Sequence, residues 1–193
     1  MLEDVPSGLQ LLDLRNRDGL DEYLSEIERL THNFVAGAAS LRDHTRRIMR
    51  SYEGTAIKDS YNAKVAELFG ASGQMVLELR NYILHYALPA SAASTTWRRD
   101  PPEYRSYVSL DRDSLLRYDG WSSAVKAHLR GMSDERVDLR LVVEGYYEAV
   151  NAFYEWLDRE LREHNAAELA EFQRIAFEHD EIVERLAAPF GQP

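Results

Sequence analysis

Cysteine does not occur anywhere in this 193-residue chain. Disulfides, thiolate metal sites and cysteine nucleophiles are therefore excluded, while the compartment is left open. No stretch approaches the ~18 uncharged apolar residues that a membrane span requires, so no membrane partner is expected. The first twenty residues carry charges and no apolar core region; no signal peptide is read there, and the cytoplasm is the expected compartment. Positive charge is in short supply as well. The net charge of −10 argues against a general nucleic-acid coat protein. Gly70 and Gly73 are not followed by the Lys-Ser/Thr of a phosphate-binding loop, and no serine has nucleophile-elbow context. His44, His128, His164 and His179 are scattered, without a convincing second ligand on the same helix face. Glu160 with His164 is a spacing common on surface helices, and the His179-Asp180 pair lacks further ligands upstream. Neither a metal nor a cofactor is expected.

Apolar residues make up 45% of the chain and charged residues 29%, the proportions of an ordinary globular protein. The charge is uneven: residues 1–31 carry −5 and residues 144–193 carry −8, whereas 32–143 carry +3. Local field matters more to a bound phosphate than total charge. Apolar steps of three and four predict a long amphipathic helix from Asp21 to about Arg50, with Arg46, Arg47 and Arg50 at its end. Asp59-Ser60 reads as the cap of a second long helix ending before Pro89. Gly70 and Gly73 weaken that helix, or mark a kink or a close helix contact. Pro89, Pro101 and Pro102 make residues 89–113 a long connection, with Tyr104 to Leu110 as a short strand or hairpin arm. Ser114 to Tyr118 and Ser122 to Arg130 read as short helices, Asp134 to about Asp158 as a strong helix, and Ala166 to Leu186 as an acidic last helix. The expected fold is all-α: a single domain over 1–193, an antiparallel bundle of four to five long helices, with 89–133 as an insertion covering one end or face.

One short segment stands out. Arg80-Asn81-Tyr82-Ile83-Leu84-His85 lies late in the second helix. With 20 Arg, 6 Asn and 6 His in 193 residues, chance placement yields about 0.02 occurrences of Arg-Asn-x-x-x-His. A guanidinium, an amide and an imidazole suit work on a phosphodiester. In RNA the 2′-hydroxyl attacks the adjacent phosphorus; a base takes its proton, cations hold the phosphorane and an acid protonates the leaving 5′-oxygen. His85 suits the base or the acid. Arg80 offers a fork matched to phosphate oxygens, and Asn81 can orient the imidazole or bond the ribose or phosphate. One chain supplies one good proton carrier here, so a two-fold dimer with the cleft on its axis is the expected active form. Arg46, Arg47 and Arg50 are candidates to guide an RNA backbone, balanced against a solvated helix end. Tyr82 and Tyr86 are candidates to stack on bases, though bundle or interface packing is the commoner use of such aromatics. Arg98, Arg99 and Arg105 sit on the long connection, diluted by Asp100 and Glu103. Tyr146, Tyr147, Phe153, Tyr154 and Trp156 read as core or interface.

The Arg80-Asn81-x-x-x-His85 pattern, late in a long helix of a helical bundle, resembles the HEPN superfamily. His32-x-Phe34 through Ser40-Leu41-Arg42-Asp43 on the first long helix is similar to the first helix of such proteins. The resemblance implies a homodimeric, metal-independent endoribonuclease of toxin–antitoxin, abortive-infection or phage-defence type, with RNA as substrate and an antitoxin or defence protein as partner. It covers roughly 20–88 and 134–165; the 89–133 segment and the acidic last helix lie outside the family's minimal core. Several branches of that superfamily bind RNA or nucleotide without cutting, so the competing expectation is a non-catalytic helical dimer that binds RNA, a nucleotide or a protein partner.

Overall fold

A computed structural model of the chain describes residues 17–87, 89, 91–99 and 102–187. Helix α1 spans Arg17–Met49, and a single 3-10 turn over Arg50–Tyr52 leads to helix α2, Ala56–His85. A hairpin follows, with strands β1 (Ser91–Arg99) and β2 (Pro102–Asp111), then short helices α3 (Arg112–Leu116) and α4 (Ser123–Gly131). Strand β3 (Arg136–Asp138) runs straight into α5 (Leu139–His164), and α6 spans Ala166–Ala187. The fold is all-α with one small antiparallel sheet in the order β1-β2-β3. No helix among the described residues is long and apolar enough to cross a membrane.

Local chemistry explains most boundaries. The N-cap of α2 is Thr55, four residues before the expected Asp59 cap, because Gly54 at φ 80° turns the chain and Thr55 is extended at φ −105°. The Thr55 hydroxyl donates back to the Tyr52 carbonyl instead of capping the helix. Asp111 accepts from the Ser114 amide at 2.8 Å and starts α3, and Ser122 accepts from Val125 N–H to start α4. Helix α5 starts at Leu139, later than its periodicity predicts, because Val137 pairs with Leu110 across the sheet. Asp138 then caps the helix through the Arg140 and Leu141 amides.

The core forms two groups of side chains. The larger joins α1, α2 and α5 to the segment after the hairpin. Val108, Leu110, Leu115, Trp121, Val125 and Leu129 all belong to it. Residues 89–133, expected as a cover, thus supply core in their own right. The smaller group gathers Met49, Ile57, Tyr61, Phe153 and Leu157 at the opposite end of α2. Phe69 touches both, with its ring centroid 5.6 Å from those of Tyr146 and Phe153.

Both glycines of α2 have a structural use. Gly70 adopts φ 46°, ψ −149°, which divides α2 into two helical pieces; L residues are strongly disfavoured there. Gly73 is helical and buried, and a Cβ on it would lie 2.6 Å from the Cβ of Phe69. The fourth long helix, α6, stands apart. Its principal contact is with the end of α5, and every described side chain from Ala166 to Leu186 is exposed except the half-buried Ala176.

Candidate functional site

Arg80, Asn81 and His85 lie on the last turns of α2, and all three side chains are exposed. The buried face of that segment holds Met75, Val76, Leu79 and Tyr82, so the motif residues occupy the arc turned away from the core. Asn81 and His85 are one turn apart on the same face. Arg80 and His85 are separated by about 140° around an ideal helix, with the 45% exposed Leu84 between them. Among the described residues, none of the three side chains has a hydrogen bond or ion pair. Neither of the two cavities described below is lined by them. Within one chain they form an open surface.

The platform beneath them is aromatic. Tyr82 stacks on Trp121, with centroids 5.7 Å apart and planes 16° from parallel, and meets Tyr118 edge-on. Burial pushes the Tyr82 hydroxyl above its ordinary pKa, followed by the effect of nearby Tyr86. With 2% of its surface exposed, Tyr82 has no face for a base and takes the packing role that the sequence favoured over base stacking. Its ring is consumed by the core. Tyr86 is 52% exposed at the helix end, its ring tilted against Tyr82 and Tyr118 with centroids 5.2 and 5.3 Å away.

Arg46 and Arg50 line a groove of about 770 Å³ between α1, α2 and α5, together with Arg42 and Lys58. Arg47 is exposed and does not line it. Arg42 and Arg46 are one turn apart on α1, and Arg50 follows at the start of the 3-10 turn. Arg42 is offset by Asp43 at 3.2 Å and Lys58 by Glu53 at 3.2 Å. Arg46 and Arg50 have no ion pair with any described residue. The floor is apolar, with Val65, Phe69, Leu77, Val150 and Phe153. The kink at Gly70 lies on its wall. At the rim Thr45 and Tyr154 share a short hydrogen bond, and burial raises the Tyr154 hydroxyl's pKa more than that bond lowers it. The four-residue arginine spacing was visible in the sequence; Lys58 and the floor come from elements that only packing brings together.

A second cavity, about 380 Å³, lies between α2, β3 and α5 and includes His128, Asp134, Arg136 and Asp138. Among the described residues, no three or more His, Cys, Asp or Glu side chains are grouped to hold a metal ion. Arg98, Arg99 and Arg105 belong to the hairpin strands, but their side chains lie outside the described residues. Compared with known proteins, the chain matches no family model, no curated protein and no solved structure.

Proposed function

We propose that this protein is a metal-independent endoribonuclease that acts as a homodimer, with Arg80, Asn81 and His85 as its working groups. The observation that carries this reading is the exposure of all three on the solvent-facing arc of α2, without a partner among the described residues. A guanidinium, an amide and an imidazole that no described residue engages suit a phosphodiester. The resemblance to the HEPN superfamily supports the same chemistry and the dimer, and with it a role in toxin–antitoxin or phage-defence systems.

The reaction needs two proton carriers. One neutral His85 imidazole takes the proton of the 2′-hydroxyl as the 2′-oxygen bonds to phosphorus. A protonated His85 from the second copy gives its proton to the 5′-oxygen as the P–O5′ bond breaks, leaving a 2′,3′-cyclic phosphate and a 5′-hydroxyl. Arg80 holds the non-bridging oxygens of the phosphorane through its paired N–H donors. Asn81, one turn from His85, orients the imidazole or bonds the ribose. The exposed Tyr86 offers a face for a base.

The test is cleavage of end-labelled RNA in EDTA by the parent, His85→Ala and Arg80→Ala. The expected outcome is 2′,3′-cyclic ends from the parent and a loss of about 10²-fold or more in each variant. Equal cutting by all three proteins would refute the assignment. A second reading, a non-catalytic helical dimer that binds RNA, a nucleotide or a protein partner, is favoured by one observation. The cation-lined groove is formed within a single chain, whereas the Arg80–His85 surface has no concave wall of its own among the described residues. Parent protein that binds RNA without cutting it would favour that alternative.

A further inference from the structure

Two surfaces of this chain lack a partner among the described residues, and they complement each other. The first is the apolar side of α6. Phe172, Ile175, Ile182, Val183 and Leu186 are 48% to 70% exposed, and their spacing aligns them along one side of the helix. His179 sits among them, Glu171 and Glu178 flank one edge and Asp180 the other, while Phe177 and Glu184 face the opposite side of the helix. Over Ala166–Ala187 there are six carboxylates against two arginines. Both arginines are engaged within the helix, Arg174 by Glu171 and Glu178, and Arg185 by Glu181. An occupant for this stripe must therefore be apolar at its centre and basic at its borders.

The groove between α1, α2 and α5 has that character. Phe69, Leu77, Val150 and Phe153 form its floor, and Arg42, Arg46, Arg50 and Lys58 its rim. Only Glu53 among its lining residues is acidic. Arg46 and Arg50 are the rim cations without an ion pair to a described residue.

The chain's own α6 does not fill its own groove, and the joint explains why. Antiparallel helices in a bundle are joined by about 2–8 residues, but a single residue, Asn165, separates α5 from α6. Asn165 is pinned: its side-chain amide donates to the Leu161 carbonyl at 2.7 Å and to the Tyr52 hydroxyl at 3.0 Å. His164 also packs edge-on against Tyr52. Helix α6 thus departs from the end of the bundle where Arg50 lies, with no slack to reverse. A second copy has no such restriction.

We propose that two chains exchange their last helices: α6 of each protomer seats its apolar stripe in the groove of the other, with its acidic borders against the partner's rim arginines. The contact is isologous and closed, so it is made twice in a dimer and does not propagate. Gln74 and Leu77 line the groove, and Asn81 follows on the same side of α2 one to two turns later. The exchanged helix therefore brings the second copy alongside the surface that carries the motif. The inference does not depend on RNA cleavage: mass reads the exchange, and the ends of the RNA read the chemistry.

Charge reversal tests it. Sedimentation of the full chain should give a species of twice the chain mass, weakened by salt. Arg46→Glu/Arg50→Glu sets an acidic rim against an acidic helix, and Glu178→Lys/Asp180→Lys sets a basic helix against a basic rim. Each variant alone should dimerise about a hundredfold more weakly. An equimolar mixture restores attraction at both contacts, so native mass spectrometry should find a dimer holding one chain of each kind. Circular dichroism checks that the variants are folded. Phe172→Glu, at a 70% exposed position, should dissociate the dimer without the charge reversal. A monomeric parent, variants as dimeric as the parent, or a mixture that stays monomeric would each overturn the exchange.

Discussion

Replacing Gly70 by alanine isolates a backbone effect from a packing effect. Nothing lies within 4 Å of where a Cβ at Gly70 would be, so the substitution meets no neighbour. Its cost comes from φ 46°, ψ −149°, a conformation almost exclusive to glycine, at about 1–3 kcal/mol. The chain has one escape: straightening α2 through position 70 would recover up to about 1 kcal/mol of helix propensity. Straightening would swing Ile57 and Tyr61 away from Met49, Phe153 and Leu157, and losses in such a core exceed that gain. Urea titration should therefore show Gly70→Ala less stable by about 1–3 kcal/mol with an unchanged slope. The melting temperature should fall by about 2–4 °C per kcal/mol. Gly70→Asn should cost about as much, since asparagine's tolerance of positive φ is confined to the left-handed helical region and does not extend to ψ −149°. Gly73→Ala should also destabilise, by about 1–3 kcal/mol, but through the clash with Phe69. A Gly70→Ala protein as stable as the parent would refute the kink and, with it, the present shape of the groove wall.

Two further expectations concern the cap of α3 and the aromatic platform. Hydrogen bonds from Ser114, through its side chain first and its backbone amide next, hold the Asp111 carboxyl below its ordinary pKa. That contribution is complete above the unfolded value of about 3.9 and fades as pH falls through the lower folded value. Asp111→Ala should cost about 1 kcal/mol at neutral pH, the solvent-screened position keeping the charge component small, and the gap from the parent should narrow below about pH 4 in thermal melts. Tyr82→Ala, at 2% exposure, should cost about 3–5 kcal/mol. Tyr86→Ala, at 52% exposure, should leave the melting point nearly unchanged and weaken RNA binding by about 1–3 kcal/mol, read by filter binding. Equal stability losses at the two tyrosines would contradict the division between platform and surface.

The helical layout was legible because apolar spacing carries it: α1, α2, α5 and α6 each show steps of three and four that survive in the fold. The ambiguity at Gly70 and Gly73 resolves into one kink and one close contact, a distinction that depends on φ and on the position of Phe69 rather than on residue type. Tertiary pairing was hidden. Val137 continues the apolar period of α5, yet it joins a strand because Leu110 lies opposite it. Of the candidate site residues, Arg80, Asn81 and His85 are exposed, as reaction with a substrate requires. Tyr82 is lost to the core because it faces Trp121 and Tyr118, residues of the segment expected only to cover the bundle. Arg46 and Arg50 separate from Arg47 by face: the first pair turns into the groove and the third does not.

Charge is distributed along the chain in a way that net charge conceals. Residues 144–193, which include the acidic last helix, carry −8, while the middle of the chain, 32–143, carries +3. The geometry links them through a single substrate-like surface. A groove rimmed by Arg42, Arg46, Arg50 and Lys58 attracts any polyanion, and an RNA backbone and an acidic helix compete for it on equal chemical terms. If the exchanged helix occupies the rim, RNA reaches the motif only over the open face beside Leu84 and Tyr86, and excess RNA should not dissociate the dimer. If RNA occupies the rim, it should displace α6, and the mass should fall toward one chain as RNA is added. Sedimentation with and without a non-cleavable 2′-deoxy oligonucleotide therefore assigns the groove to one occupant, whatever His85 does to a substrate.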